Sequence, residues 1–344
     1  MNSPFLDNAI GHPDHSQQKS GKKALIAQLL FWLLAVSLVV FFRDRAQFHT
    51  LGIIFVSIVL EAFPIMLLGT LIGGFIEVFI PRETITRFLP EQRWWAVFIA
   101  AAMGVIFPVC ECAIIPVVRR LLKKGIPLSA AIAFLLGGPI VNPLVAASTA
   151  VAYFADWSVM MHRMILGYVI AVAVGLLMGL FFSKIKAVRN EVFSDQNPIS
   201  GATLCDHRKP AALGEKITLA VNHAANDFFD IGRFLVIGAF FAAVVQTLVP
   251  RQVFAALTDT PALSILIMML MAILLNLCSE ADAFVAASFR STPVPLPAQL
   301  AFMILGPMLD IKLIIMYFNV FRIRAIVTLA ALVFSMVFLS MVFL

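Results

Sequence analysis

Apolar residues run in long blocks along this chain, and the polar residues that interrupt the blocks fall at a few concentrated places. Ala24–Phe42 is the first block, preceded by Lys22 and Lys23. Leu51–Ile80, Trp94–Leu122, Pro127–Phe154 and Met164–Phe182 follow, and Ile326–Leu344 closes the chain. Stretches of roughly 20 residues with few charges are the signature of membrane-spanning helices. The pattern predicts an all-α polytopic membrane protein. The polar ends of the blocks set its expected divisions: a disordered cytoplasmic tail over 1–23, an extra N-terminal transmembrane helix over 24–42, a membrane repeat over 51–183, a cytoplasmic loop over 184–216 and a second membrane repeat over 217–344.

The two repeats are visible as a constant spacing. Cys110 recurs as Cys278, an offset of 168; Pro127-Leu128 recurs as Pro295-Leu296 and Gly138-Pro139 as Gly306-Pro307 at the same offset, with Asn142 opposite Asp310. Gly69 recurs as Gly238 at 169. Many of these are Gly, Pro or Cys, residues whose backbone or side-chain chemistry is hard to replace. If Trp94–Leu122 crosses the membrane once, the basic loop residues divide about evenly between the two sides. If it dips in and returns with its tip at the cysteines, and 263–290 does the same from the other side, the basic residues collect on one side, as membrane orientation requires. The second arrangement makes each repeat cross three times, so the two are expected to be inverted, with broken or re-entrant helices meeting near the midplane.

Composition supports the class. The chain is 61% hydrophobic and only 13% charged, with mean hydropathy +0.98, against about 25% charged for soluble chains. The net charge of +6 reads as membrane orientation and not as a nucleic-acid patch. Partners are therefore expected to be the lipid bilayer and a small solute, and the location a cell (inner) membrane, spanned several times. No nucleotide-binding motif and no paired intramembrane His is present, so no cofactor is expected, and no His-Glu-x-x-His or nucleophile pair points to an enzyme.

Candidate chemistry sits at the interruptions. Cys110, Glu111 and Cys112 stand between Pro108 and Pro116 in an otherwise apolar run. Thiolates are soft ligands; Cys110 and Cys112 can aim two sulfurs at one solute or metal ion, and Cys278 can supply a third. Glu111, Glu280 and Asp282 are candidates for proton coupling, since an intramembrane carboxylate must be paired, hydrated or protonated. Lys312 is a deep cation whose expected partner is Glu280 or Asp282. Pro108, Pro116, Gly138, Pro139, Pro143, Gly306 and Pro307 predict helix breaks that free backbone carbonyls, with Asn142 and Asp310 as side-chain ligands beside the Gly-Pro pairs. Asp227, Asp230 and Arg233 read as helix-end residues.

The run Phe-Pro-Val-Cys-Glu-Cys-Ala-Ile-Ile-Pro-Val-Val-Arg-Arg (107–120), with Lys-Gly-Ile-Pro-Leu (124–128) and Gly-Gly-Pro-Ile-Val-Asn-Pro (137–143), resembles the predicted permease family related to YraQ and to the ArsP-type organoarsenical efflux permeases. The resemblance covers about 50–340 and implies an inner-membrane permease with a duplicated fold. It also implies thiol-reactive solutes such as trivalent arsenicals. The Cys-Glu-Cys form resembles a subgroup associated with a separate membrane partner protein. Residues and resemblance together lead to two expectations. One is a secondary transporter moving a metalloid, organoarsenical or metal ion by alternating access, in proton-coupled efflux. The other is a membrane subunit of a larger complex that handles metals or redox signals with a membrane or periplasmic partner.

Overall fold

The structure is a computed structural model that describes residues 45–79, 93–106, 110–154, 156–182, 187–189, 213–248, 260–291 and 294–344. The expected tail 1–23 and helix 24–42, together with Pro108 and Cys205, lie outside the described residues. Residues 53–344 form one compact unit, and the architecture below concerns it.

Twelve α-helices make up the described chain. In the first half they are α1 (Arg45–Phe79), α2 (Arg93–Ala102), α3 (Glu111–Lys123), α4 (Leu128–Gly137), α5 (Pro143–Ala152) and α6 (Trp157–Phe181). In the second they are α7 (Leu213–Leu248), α8 (Pro261–Leu275), α9 (Ala281–Ala287), α10 (Leu296–Leu305), α11 (Ile311–Tyr317) and α12 (Ile323–Val342). Short 3-10 turns follow α2 (Met103–Val105) and α9 (Ser288–Ser291). The helix starts at residues 128 and 143 recur at 296 and 311, each at the 168-residue offset of the sequence. Helices α4 and α10 correspond at both ends.

These two helices are the centres of packing. Every residue of α4 is buried, as expected of a helix apolar on all sides. It packs against α2 and α6, and α10 packs against α8 and α12 in the same way. The halves also cross-pack: α3 meets α11, and α9 meets α5. Close helix approach is set by small residues. A Cβ on Gly74 would stand 2.4 Å from the Ala220 carbonyl oxygen, and one on Gly69 would stand 2.6 Å from that of Ala113, so α1 lies directly against α7 and α3. Only the stretch His49–Phe75 and helices α6 and α12 are long and apolar enough to cross a bilayer unbroken, among the described residues. The other apolar helices are short, which is the broken-helix pattern.

Several boundaries differ from the sequence reading. Pro116 does not break a helix: α3 runs from Glu111 through it to Lys123. Upstream of it, Cys110 has extended backbone as the N-cap. A proline six residues into a helix removes one backbone donor, while the neighbouring turns keep theirs. Helix α6 begins at Trp157, well before Met164, and so takes Arg163 into its interior. The connector expected over 184–216 is anchored at its start: Val188 bridges Phe321, and the Arg322 backbone N–H donates to the Ala187 carbonyl at 2.8 Å. Its last residues already belong to α7.

Candidate functional site

Helix α3 begins inside the polar segment between Pro108 and Pro116. Cys110 is its N-cap, with extended backbone and no side-chain cap bond, and Glu111 occupies the first turn. An acid in that position suits the partial positive charge of a helix start. The start of α11 lies against it. Asp310 caps α11, its Oδ1 accepting from the Leu313 N–H at 2.6 Å, and Lys312 stands in the first turn. Lys312 Nζ is 3.3 Å from Glu111 Oε1 and 3.7 Å from Asp310 Oδ2, and all three side chains are buried. Lys312 thus pairs with Glu111 and Asp310, not with Glu280 or Asp282. The start of α9 adds Ser279, whose hydroxyl is 3.4 Å from Glu111 Oε2 and 3.3 Å from Glu280 Oε2. One hydroxyl proton serves one of them at a time.

At an effective dielectric of about 20, each Lys–carboxylate contact at these distances is worth roughly 5 kcal/mol. Removing each ion from water costs several kcal/mol. The cluster is therefore close to break-even as a source of stability. It carries two carboxylates against one ammonium, leaving a negative excess that a proton or a bound cation can balance.

Beside it opens a crevice of about 310 Å³, counting the part that communicates with the outside. Cys110, Glu111 and Cys112 from the first half line it with Asn276, Cys278 and Lys312 from the second, and α1 contributes Glu61. The Cys112 thiol lies near that of Cys110, and the Cys278 thiol near the Glu61 carboxylate. Among the described residues, no group of three or more His, Cys, Asp and Glu is close enough to hold a metal ion.

The remaining sequence candidates are distributed differently. Asn142 is buried and caps α5, accepting from the Leu144 N–H at 2.9 Å, and it is not among the residues lining the crevice. Gly138 closes α4 and Pro143 opens α5, while Gly306 closes α10 and Asp310 precedes α11. Pro139 and Pro307 fall in the turns between. Asp282 faces a second charge centre around Arg163, which is completely buried. The Arg163 guanidinium donates to Thr149 Oγ1 at 2.8 Å, to the Ser279 carbonyl at 2.8 Å and to the Met303 carbonyl at 3.1 Å, with Asp282 Oδ2 at 3.8 Å. It ties α6 to α5, α9 and α10.

A third ionic cluster joins α3 to α7. Asp227 is buried and accepts from both Arg119 and Arg120, and Arg119 also reaches Asp230 at 3.5 Å. These acids lie mid-helix in α7 and not at a helix end. Sequence reasoning also passed over Arg163 and Asn276. The signal for Asn276 was an amide inside an apolar run, two residues before Cys278. The signal for Arg163 was a cation within one turn of an apolar block, which reads equally well as a loop residue.

Comparison with known proteins gives the same class. The chain is 38% identical to the UPF0718 protein YcgR of Bacillus subtilis over 280 residues, 81% of this chain and 92% of that one. It is 37% identical over 273 residues to a protein of Streptococcus mutans named as a putative two-component membrane permease complex subunit, covering 79% of this chain and 87% of that one. A shorter match, 26% over 110 residues, links 32% of it to 31% of the UPF0718 protein YraQ of Escherichia coli. No solved structure matches the chain. Residues 47–344 match the family described as ArsP_1, predicted permease, so this membrane protein belongs to that permease family.

Proposed function

We propose that the protein is an inner-membrane secondary transporter that carries a small thiol-reactive solute by alternating access, in proton-coupled efflux. One observation carries the reading: thiols from both halves, Cys110, Cys112 and Cys278, line a single crevice beside a buried Lys312–Glu111–Asp310 cluster. A site made from both halves changes shape when the halves rock, as alternating access requires. The matching helix starts of the two halves are consistent with inverted repeats.

The chemistry is balanced without a cofactor. A trivalent metalloid hydroxide exchanges one hydroxyl for one cysteine sulfur; the thiol proton leaves with the hydroxyl as water. A soft metal cation instead displaces the thiol proton itself, and Glu61 or Glu111 is placed to accept it. Glu111 and Asp310 share Lys312, so a proton on either carboxylate releases the ammonium to the other. Glu280 joins this network through Ser279. Asp282 is bound to Arg163 and has a positioning part. Cys110→Ser should abolish flux of arsenite or silver(I) in vesicles holding the full-length chain, with the folded protein retained. Undiminished flux in that variant would remove the cysteines from the site.

A second reading follows from the Streptococcus mutans relative: the chain works as one subunit of a membrane permease complex. It predicts that the purified chain alone gives no flux and that flux appears when a membrane partner co-purified with it is added back.

A further inference from the structure

Among the groups lining the crevice, Asn276 stands apart. It ends α8 with a left-handed backbone (φ 51°), a conformation that Asn adopts more readily than most residues. Its side chain is buried, and Oδ1 accepts the Lys312 backbone N–H at 3.1 Å. That bond fixes which end of the amide is which. Nδ2, a double donor, then has no hydrogen-bond partner among the described residues. A buried donor left unsatisfied bears its full desolvation penalty, so a group that meets it recovers that loss.

We infer that Asn276 is a specificity-determining residue of the solute site, its Nδ2 donating to an electron-pair-bearing atom of the solute while the solute's soft centre meets the cysteine sulfurs. This rests on the thiol-site reading above and narrows it. Asn276 and Lys312 both line the crevice, but the ammonium of Lys312 is already paired with Glu111 and Asp310, so Nδ2 is the donor left over. It rewards an oxygen and offers a bare cation nothing. The donor therefore favours an oxygen-bearing solute with a thiol-reactive atom over a naked soft metal ion.

The test uses the full-length protein in lipid nanodiscs and two probes, arsenite, which is neutral As(OH)₃ near pH 7, and silver(I), each titrated by calorimetry. Asn276→Asp keeps the left-handed backbone and the Oδ1 acceptor for the Lys312 N–H but removes the donor. It should weaken arsenite binding about tenfold, the equivalent of one hydrogen bond of about 1.4 kcal/mol, and leave silver(I) binding equal or tighter. Asn276→Gly, which also accepts positive φ, should show the same selective loss without the added charge. Unchanged arsenite affinity in both variants, or equal loss of both probes, overturns the role of Asn276. If the unaltered chain binds neither probe, or if Cys110→Ser leaves both affinities intact, the thiol site itself has failed, and the two failures are thereby told apart.

Discussion

The two breaks of the fold, after α4 and after α10, occupy equivalent places and hold opposite chemistry. At the first, a Cβ on Gly138 would stand 2.4 Å from Ile114 Cδ1; at the second, a Cβ on Gly306 would stand 2.9 Å from Asp282 Oδ2. Ile114 and Asp282 are 168 residues apart, so one position of the duplicated scaffold is a methyl in one half and a carboxylate in the other. The same holds downstream, where Asn142 and Leu144 answer to Asp310 and Lys312. The exchange is not one-sided, since Glu111 answers to Ser279. Duplication reproduced the backbone, and the charges were then placed asymmetrically. The first half supplies the thiol pair and two acids, Glu61 and Glu111. The second supplies the cation and most of the remaining polar groups.

The comparison can be broken most forcefully at the charges. Lys312→Met leaves Glu111 and Asp310 buried without their cation, a loss of about 3–5 kcal/mol. Thermal unfolding of the purified variant should show a large drop, and adding Glu111→Gln to it should recover part of the stability but no transport. If Lys312→Met alone unfolds like the unaltered chain, the cluster is not the buried ion group described. Next, Asp282→Ile makes the second break resemble the first. Arg163 would keep Thr149 and two carbonyls but lose its carboxylate. We expect a smaller destabilisation, coupled to Arg163→Met by about 0.5–3 kcal/mol in a double-mutant cycle; additive effects would mean that the 3.8 Å contact carries nothing. The smallest effect is expected at the apolar break. Gly138→Ala overpacks Ile114 by about 1–3 kcal/mol, and Ile114→Val, which removes the clashing Cδ1, should restore part of it. No rescue in the unfolding midpoint would place the strain elsewhere.

What the sequence reveals here is whatever is local or periodic. The Cys-Glu-Cys segment, the 168-residue spacing and the Gly-Pro turns are visible because each is a short pattern or its repetition. Partnerships are not. Lys312 reads as a partner for Glu280 or Asp282, which lie closest to it along the chain among the intramembrane acids apart from Asp310. Its contacts are instead set by helix phase: α11 turns it toward α3, 201 residues away. Arg163 draws its four partners from α5, α9 and α10, and no window of sequence contains them all. Pro116 illustrates the opposite error, a strong local signal that the packing of α3 overrides. Asp227 read as an end residue because a buried acid in mid-helix makes sense only once Arg119 and Arg120 are seen across from it.

The anchored start of the connector gives the fold a further property. Val188 is bridged to Phe321, Arg322 donates through Nε to the Val188 carbonyl at 3.1 Å, and Arg189 donates to the Phe318 carbonyl at 2.9 Å. Phe318 directly follows α11, the rod of about two turns whose other end holds Asp310 and Lys312. The start of the connector is thus fastened to residues 318–322, at the end of α11 away from Lys312.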